Sequence, residues 1–349
     1  SGKLRDLLLK DENNEAIYCR TLLVYTDNEL WIGTESGVYI YNLRTEKYTH
    51  LRSSEYDPYS LSDNAIYSFC KDREDGIWIG SYFGGVNYYP RSYTYFEKYY
   101  PKGIENSLHG KRVREFCRDS QGILWIGTED GGLNRFNLKT KDFSFFAPSA
   151  GFTNIHGLCL VDDKLWVGTF SKGLKVIDTR SGVVLKTYQK NDSPRSLIDN
   201  SIFAICKTAT GDIYLGTMFG LVRYNKQSDD FDRIPELNGK FIYDIKEDSA
   251  GNIWLATYAN GVYCYNVNDR KWKNYVHDDK DNTSLPYNKV SSVFEDSHRQ
   301  IWLTTQGGGF CIFHPESETF TSYNSTNGLP SDVVYQIVED KEGQLWLTT

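Results

Sequence analysis

A short segment built on Trp, a small residue and Thr returns eight times along this 349-residue chain. It reads LWIGTESGVYIY at 30–41, IWIGSYFGGVNYY at 77–89, LWIGTEDGGLNRF at 124–136 and LWVGTFSKGLKVI at 165–177. It continues as IYLGTMFGLVRY at 213–224, IWLATYANGVYCY at 253–265 and IWLTTQGGGFCIF at 301–313, with LWLTT from Leu345 as the last copy. The anchors are Trp31, Trp78, Trp125, Trp166, Tyr214, Trp254, Trp302 and Trp346, spaced 40 to 48 residues apart. A unit repeating on this scale cannot bury its apolar face alone and must stack on its neighbours.

Each copy carries the signals of four strands. An alternating apolar segment such as NAIYSFCKD, RVREFCRD, SIFAICKT, KVSSVFED or DVVYQIVED precedes the anchor and predicts an innermost strand. A turn with Asp and Gly follows (DREDG, DSQG, DSAG, DKEG), where Gly supplies positive φ and Asp bonds the turn backbone. The anchor segment is the second strand, the GVNYY type the third, and YFEKYY, FSFF, WKNY or FTSY the fourth. Leu61, Leu108, Leu197, Leu285 and Leu329 each lie seventeen residues before an anchor and support the same alignment. The 26 Tyr and 18 Phe against one Met favour pleated surfaces over helices. The expected fold is an all-β propeller of four-stranded blades, because radial closure hides edges that separate short sheets would expose.

Gly33, Gly80, Gly127, Gly168 and Gly216 share one register, with Ala256 and Thr304 as larger exceptions. A small residue there is expected to admit an aromatic ring from the neighbouring blade. Residues 1–349 hold seven full repeats and a truncated eighth, and LRDLLLK at 4–10 reads as an outer strand of a blade before Trp31. Seven blades is the favoured count, with eight the alternative, in what reads as a segment of a longer array.

The net charge of −7 is spread without any block of like charge, so nucleic-acid contact is not expected. There is no run of 18 apolar residues, and SGKLRDLLLK lacks the apolar core of a signal peptide. Cys70, Cys117 and Cys206 lie eight residues before their anchors and Cys159 seven before. Thiols in the same place on successive blades are read as small apolar fillers rather than disulfide partners, and no CxxC favours zinc. The six His are scattered without HExxH, and GxSxG, P-loop and dinucleotide motifs are absent. Neither catalytic residues, metal ligands nor cofactors are assigned. Glu129 and Asp130 are the candidates for a glycosidase carboxylate pair, and a solvated loop edge is their plainer reading.

The repeat varies most in the loop between second and third strands, which carries Tyr82 and Phe83, Glu129 and Asp130, Phe170, Phe219, Tyr258, Asn260 and Gln306. In a propeller these loops emerge on one face. Bulky aromatic residues interspersed with carboxylates and amides suit a ligand with apolar faces and many hydroxyls, such as a sugar. The candidates are therefore ligand-binding residues. Packing against the long loops before each inner strand would equally explain the rings.

The repeated D..G.LWIGT..GGL..F pattern, YFGGVNYY and NGLPSDVVYQIVEDKEGQLWLTT resemble two-component-regulator propeller repeats along the whole chain. That resemblance implies the periplasmic sensor region of a hybrid two-component protein of Bacteroidetes. In such proteins two propellers precede an immunoglobulin-like domain, a membrane helix, a histidine kinase, a receiver and a DNA-binding domain. It implies an oligosaccharide ligand, a dimer formed through other parts of the protein, tethering to the inner membrane and control of glycan-utilisation genes. None of the kinase, receiver or DNA-binding signatures can be placed on this chain. A propeller lyase or glycosidase and a protein-interaction scaffold are the rival readings.

Overall fold

The computed structural model describes residues 16–57, 59–91, 98–146 and 151–349. These divide into two compact units, Ser1–Ile104 and Glu105–Thr349. The first unit contains a four-stranded antiparallel sheet, β1 (Cys19–Thr26), β2 (Glu29–Thr34), β3 (Gly37–Asn42) and β4 (Tyr48–Leu51), and a three-stranded one, β5 (Ile66–Lys71), β6 (Ile77–Ser81) and β7 (Val86–Tyr89). The second unit opens with β8 (Val113–Arg118), β9 (Ile123–Thr128), β10 (Leu133–Asn137) and β11 (Phe143–Phe146), followed by β12 (Ile155–Val161), β13 (Lys164–Thr169), β14 (Leu174–Asp178) and β15 (Val184–Tyr188). It continues with β16 (Ile202–Lys207), β17 (Ile213–Thr217), β18 (Gly220–Asn225) and β19 (Asp230–Arg233), then β20 (Ile242–Glu247), β21 (Ile253–Thr257), β22 (Val262–Asn266) and β23 (Lys271–Tyr275). The final four-stranded sheet is β24 (Val290–Glu295), β25 (Ile301–Thr305), β26 (Phe310–His314) and β27 (Thr319–Tyr323), after which β28 (Gln336–Glu339) pairs with β29 (Leu345–Thr348). Among the described residues there are thus seven propeller blades plus a hairpin, in the strand order expected from the repeat. The outer strand expected at 4–10 lies outside the described residues, as do residues 95–97 of the fourth strand expected at 95–100, and the described residues 98–100 are not in a strand.

Within each unit a blade covers the anchor of the blade before it. Trp31 packs with Ile66, Ile77 and Ile79, and Trp125 with Leu165, Val167 and Ile177. Trp166 meets Ile213 and Leu215, and Trp254 meets Ile301 and Leu303. Trp78 and Trp346 belong to the last sheet of their own unit and are 46% and 59% exposed, so these two anchors are not buried.

The turn before the anchor does more than the sequence implies. Asp72, Asp119, Asp248, Asp296 and Asp340, six residues before Trp78, Trp125, Trp254, Trp302 and Trp346, each accept the indole N–H at 2.7 to 3.1 Å with one carboxylate oxygen. The other oxygen accepts two backbone amides of the turn, as Asp119 does from Gln121 and Ile123. One carboxylate therefore fixes both hairpin and core ring. Positive φ falls three residues before the anchor, on Gly122, Gly211, Gly251 and Gly343, but on Asp75 and Arg299 where the turn lacks a glycine at that place.

The small-residue register also has its explanation, with a correction. A Cβ on Gly127, Gly168 or Gly216 would lie 2.6 to 2.7 Å from Cγ2 of Ile155, Ile202 or Ile242, the first residue of the next blade's inner strand. At these three the neighbour is a β-branched aliphatic side chain, not an aromatic ring, whereas at Gly33 the next blade brings both Ile66 Cγ2 at 2.8 Å and the Phe69 ring at 3.2 Å. Inner strands meet side by side, and this is where branched residues pack well.

The seven cysteines are all free. Burial pushes the Cys117, Cys159 and Cys206 thiols up, which suits inert fillers at blade junctions. Among the described residues, no helix is long and apolar enough to cross a membrane.

Candidate functional site

The loops between second and third strands are closed from inside the blade. Thr34, Thr128, Thr169, Thr217, Thr257 and Thr305 are fully buried, and each Oγ1 donates to the carbonyl of the glycine opening or preceding the third strand, at 2.6 to 2.9 Å. Most of these hydroxyls also accept a loop amide, as Thr257 does from Asn260 at 2.9 Å. A loop pinned at both strands holds its tip side chains without further ordering on binding.

A second link brings the tip over the start of the inner strand. The amide of Glu129 donates to the Arg112 carbonyl, Phe170 to Asn154, Met218 to Ser201, Tyr258 to Phe241 and Gln306 to Lys289, at 2.9 to 3.1 Å. Tyr82 does the same to Ala65 at 2.9 Å in the first unit. The partner lies thirteen residues before the anchor in all but the Phe170 pair, so the spacing alone could have found Arg112, Phe241 and Lys289.

These links assemble a ribbon of rings in the second unit. Phe170 lies 5.7 Å from the His156 ring and 6.0 Å from Phe203. Phe203 packs edge-on to Phe241 at 4.5 Å, and Phe241 stacks on Tyr258 at 5.4 Å and 20°. Tyr243 touches Phe203, Phe241 and Tyr258 at 5.3 to 6.4 Å. The Lys289 ammonium lies 4.2 Å from the Tyr258 centroid. Of the expected residues, Phe170 and Tyr258 join this ribbon, and Phe219 stands 52% exposed beside it on the intervening blade's loop. Sequence reasoning does not single out His156, Phe203, Phe241 and Tyr243. They sit at the start of inner strands, where alternating apolar residues read as core.

The polar candidates divide. Glu129 pairs with Arg114 at 2.9 Å and faces Arg112 at 3.8 Å. Asp130 is occupied locally, accepting the amides of Lys111 and Arg112 at 2.9 and 3.2 Å. That geometry leaves Glu129 and Asp130 in separate jobs rather than as a facing acid and base. Asn260 is half-buried in its pinned loop, and Gln306 bridges to Val333. Tyr82 and Phe83 belong to the first unit, where Tyr82 stacks on Tyr67 at 5.0 Å and Phe83 is 87% exposed.

Burial, helped by nearby Arg114, pushes the His156 imidazole down to about 4. The ring is therefore neutral at pH 7. Its Nε2 donates to Asn154 Oδ1 at 2.7 Å, and the buried Nδ1 is left as an acceptor with no partner, as is the Arg114 Nε donor. Deeper in the unit, a β-bulge in β8 and another in β20 re-aim the residue ten before the anchor. They place Glu115 and Asp244 there. Desolvation, reinforced by Asp244 and opposed by Arg114, raises the Glu115 carboxyl to about 7. Asp244 is raised by burial while its oxygens accept the amides of Ile245 and, on the next blade, Val293. Among the described residues no group of three or more His, Cys, Asp or Glu is placed to hold a metal ion.

Four segments, 60–83, 107–130, 236–259 and 328–349, match the two component regulator propeller family. Each spans the loop before an inner strand through the second strand. A histidine kinase, P4, of Formosa agariphila is 29% identical over 179 residues, covering 49% of this chain and 13% of its own length. The extracellular domain of a hybrid two component system from B. thetaiotaomicron superposes with a TM-score of 0.51 at 23% identity, over 97% of this chain and 50% of that one. Virginiamycin B lyase from Staphylococcus aureus superposes at 0.55 with 14% identity, over 70% of this chain and 80% of its own. The chain thus spans about an eighth of the curated relative and half of the first structural one, and the two structures share its fold.

Proposed function

Because four segments of the chain match the two component regulator propeller family, we propose that it is the ligand-sensing part of a membrane-tethered hybrid two-component protein and works in the periplasm. The ligand is an oligosaccharide fragment, bound on the loop face of the second unit. The observation that carries this reading is the ribbon from Phe170 through Phe203 and Phe241 to Tyr258, held on loops that are pinned by buried threonines. Rigid rings supply apolar area at little entropic expense, and Tyr258, Asn260 and Gln306 can meet hydroxyls without demanding charge. Tyr82 and Phe83 provide a second aromatic tip on the first unit.

Binding alone transmits nothing. The ligand must favour one arrangement of a sensor dimer over another, since equal affinity for both shifts no equilibrium. The chain itself acts as a binder without turnover, and gene control lies with kinase and DNA-binding parts elsewhere in the protein. A thermal-shift screen against oligosaccharides of host and plant glycans, with calorimetry on each hit, tests the reading. A saturable hit that is recovered intact supports it; a hit that is consumed points to a lyase or glycosidase. Silence across the panel refutes it in favour of a protein-interaction scaffold.

A further inference from the structure

The aromatic ribbon ends on a lysine, Lys289, whose ammonium rests on a ring. Lys289 immediately precedes β24, and its carbonyl is held by the Gln306 amide. Tyr258 has two partners, with Phe241 stacked on the ring and the Lys289 ammonium 4.2 Å from its centroid. The lysine makes no ion pair among the described residues, although the chain as a whole is acidic at −7. A lysine resting on a tyrosine ring is attracted by the electron-rich face of that ring. It also has its side chain ordered before any ligand arrives, which removes part of the usual ordering cost of binding.

The other end of the ribbon is biased the same way. Arg112 and Arg114 share Glu129, and the Arg112 side chain is 77% exposed at 3.8 Å from it. Asp130, the remaining carboxylate of that loop, is taken up by backbone amides. On the loops themselves three cations therefore stand against one free carboxylate, with the Glu115 and Asp244 carboxyls buried beneath and raised by burial. A neutral sugar has no use for that excess.

We propose that the loop face of the second unit takes an acidic oligosaccharide, one bearing uronate carboxylates or sulfate esters, with the anionic group at the Lys289 ammonium and the sugar rings along the ribbon edge. The proposal rests on the reading of this face as an oligosaccharide site and adds its substrate class. Charge-assisted contacts of this kind are stronger than neutral hydrogen bonds and screened by salt.

The test uses the full chain and three probes in calorimetry: oligogalacturonides, the same oligosaccharides with their carboxyls methyl-esterified, and heparin-derived oligosaccharides. Either acidic probe should bind at least about tenfold more tightly than the esterified one, with affinity falling as salt rises, as expected for one charged contact. Binding by the first probe alone assigns a carboxylate, and by heparin-derived material alone a sulfate. Lys289→Met keeps an apolar stem on Tyr258 and should abolish the preference; Lys289→Gln, which keeps polarity, should do the same. Unchanged melting temperatures for both variants show that folding is intact. Equal binding of acid and ester, or a neutral glucan, xylan or mannan fragment binding where both acids fail, overturns the acidic preference and leaves the oligosaccharide site standing. Failure of acidic and neutral probes alike overturns both.

Discussion

Glu115→Gln should stabilise the second unit, and only at high pH. The bulge in β8 puts this carboxyl among packed inner strands, where desolvation and the like charge of Asp244 raise it from 4.5 to about 7. A carboxyl held higher in the folded than in the unfolded state binds more protons when folded. Stability is therefore greatest below pH 4.5, falls as pH rises through the window from 4.5 to about 7, and is flat above it. Every tenfold gain in proton affinity on folding corresponds to about 1.4 kcal/mol, so the wild-type penalty at pH 8 reaches about 3 kcal/mol, an upper value because Glu115 keeps some contact with water. Glutamine never ionises. Urea titrations of both proteins at pH 4.5, 6 and 8, followed by fluorescence, should give a difference near zero at the first pH that grows to about 2 to 3 kcal/mol in favour of the variant at the last. A difference of equal size at all three values would refute the assignment, because it would place the effect in packing rather than proton binding.

Trp125→Ala should cost about 3 to 5 kcal/mol, the usual penalty for emptying a fully buried aromatic site, whereas Trp78→Ala should cost far less because half of that ring is exposed; denaturant midpoints compare them. Gly168→Ala drives a methyl to 2.7 Å from Ile202 and should destabilise by about 1 to 3 kcal/mol; an unchanged thermal melt would mean that the two blades do not meet this closely. Phe219→Ala should weaken oligosaccharide binding severalfold at an unchanged melting temperature, since its exposed ring packs on no other ring among the described residues, while Phe203→Ala, which removes a buried ring, should lower both. Binding retained in Phe219→Ala would remove that residue from the site.

The period, the strand order and the turn chemistry are legible in the sequence because each is written in every copy. Leu237 shows how far this goes: it is fully buried seventeen residues before Trp254, the register already marked by Leu197 and Leu285. What stays hidden depends on pairs of residues that the linear chain does not connect. Asp119 reads as turn chemistry alone, because nothing in the order of residues says that an indole six positions on will share its carboxylate. Phe203, Phe241 and Tyr243 alternate like core residues, and only the amide links from the loop tips show that the strand starts join the same surface. The glycine register reveals the right purpose but, at Gly127, Gly168 and Gly216, the wrong neighbour, since a missing side chain records that space is needed and not what fills it. The sheet of β12 to β15 is an instructive departure. Its hairpin turns at Asp162 without the longer loop, no Asp stands six residues before Trp166, and that indole N–H is buried without a partner among the described residues.

The threonine that closes each loop has a bearing on how such chains diversify. Since Thr128, Thr169, Thr217 and Thr257 hold their loops through hydroxyl and backbone groups alone, the identity of the tip residue is not consulted in building the blade. Acidic, aromatic and aliphatic tips already coexist on one scaffold, as Glu129, Phe170 and Met218 do. Single codon changes at those positions can therefore retune recognition one blade at a time, leaving the frame that reports it untouched.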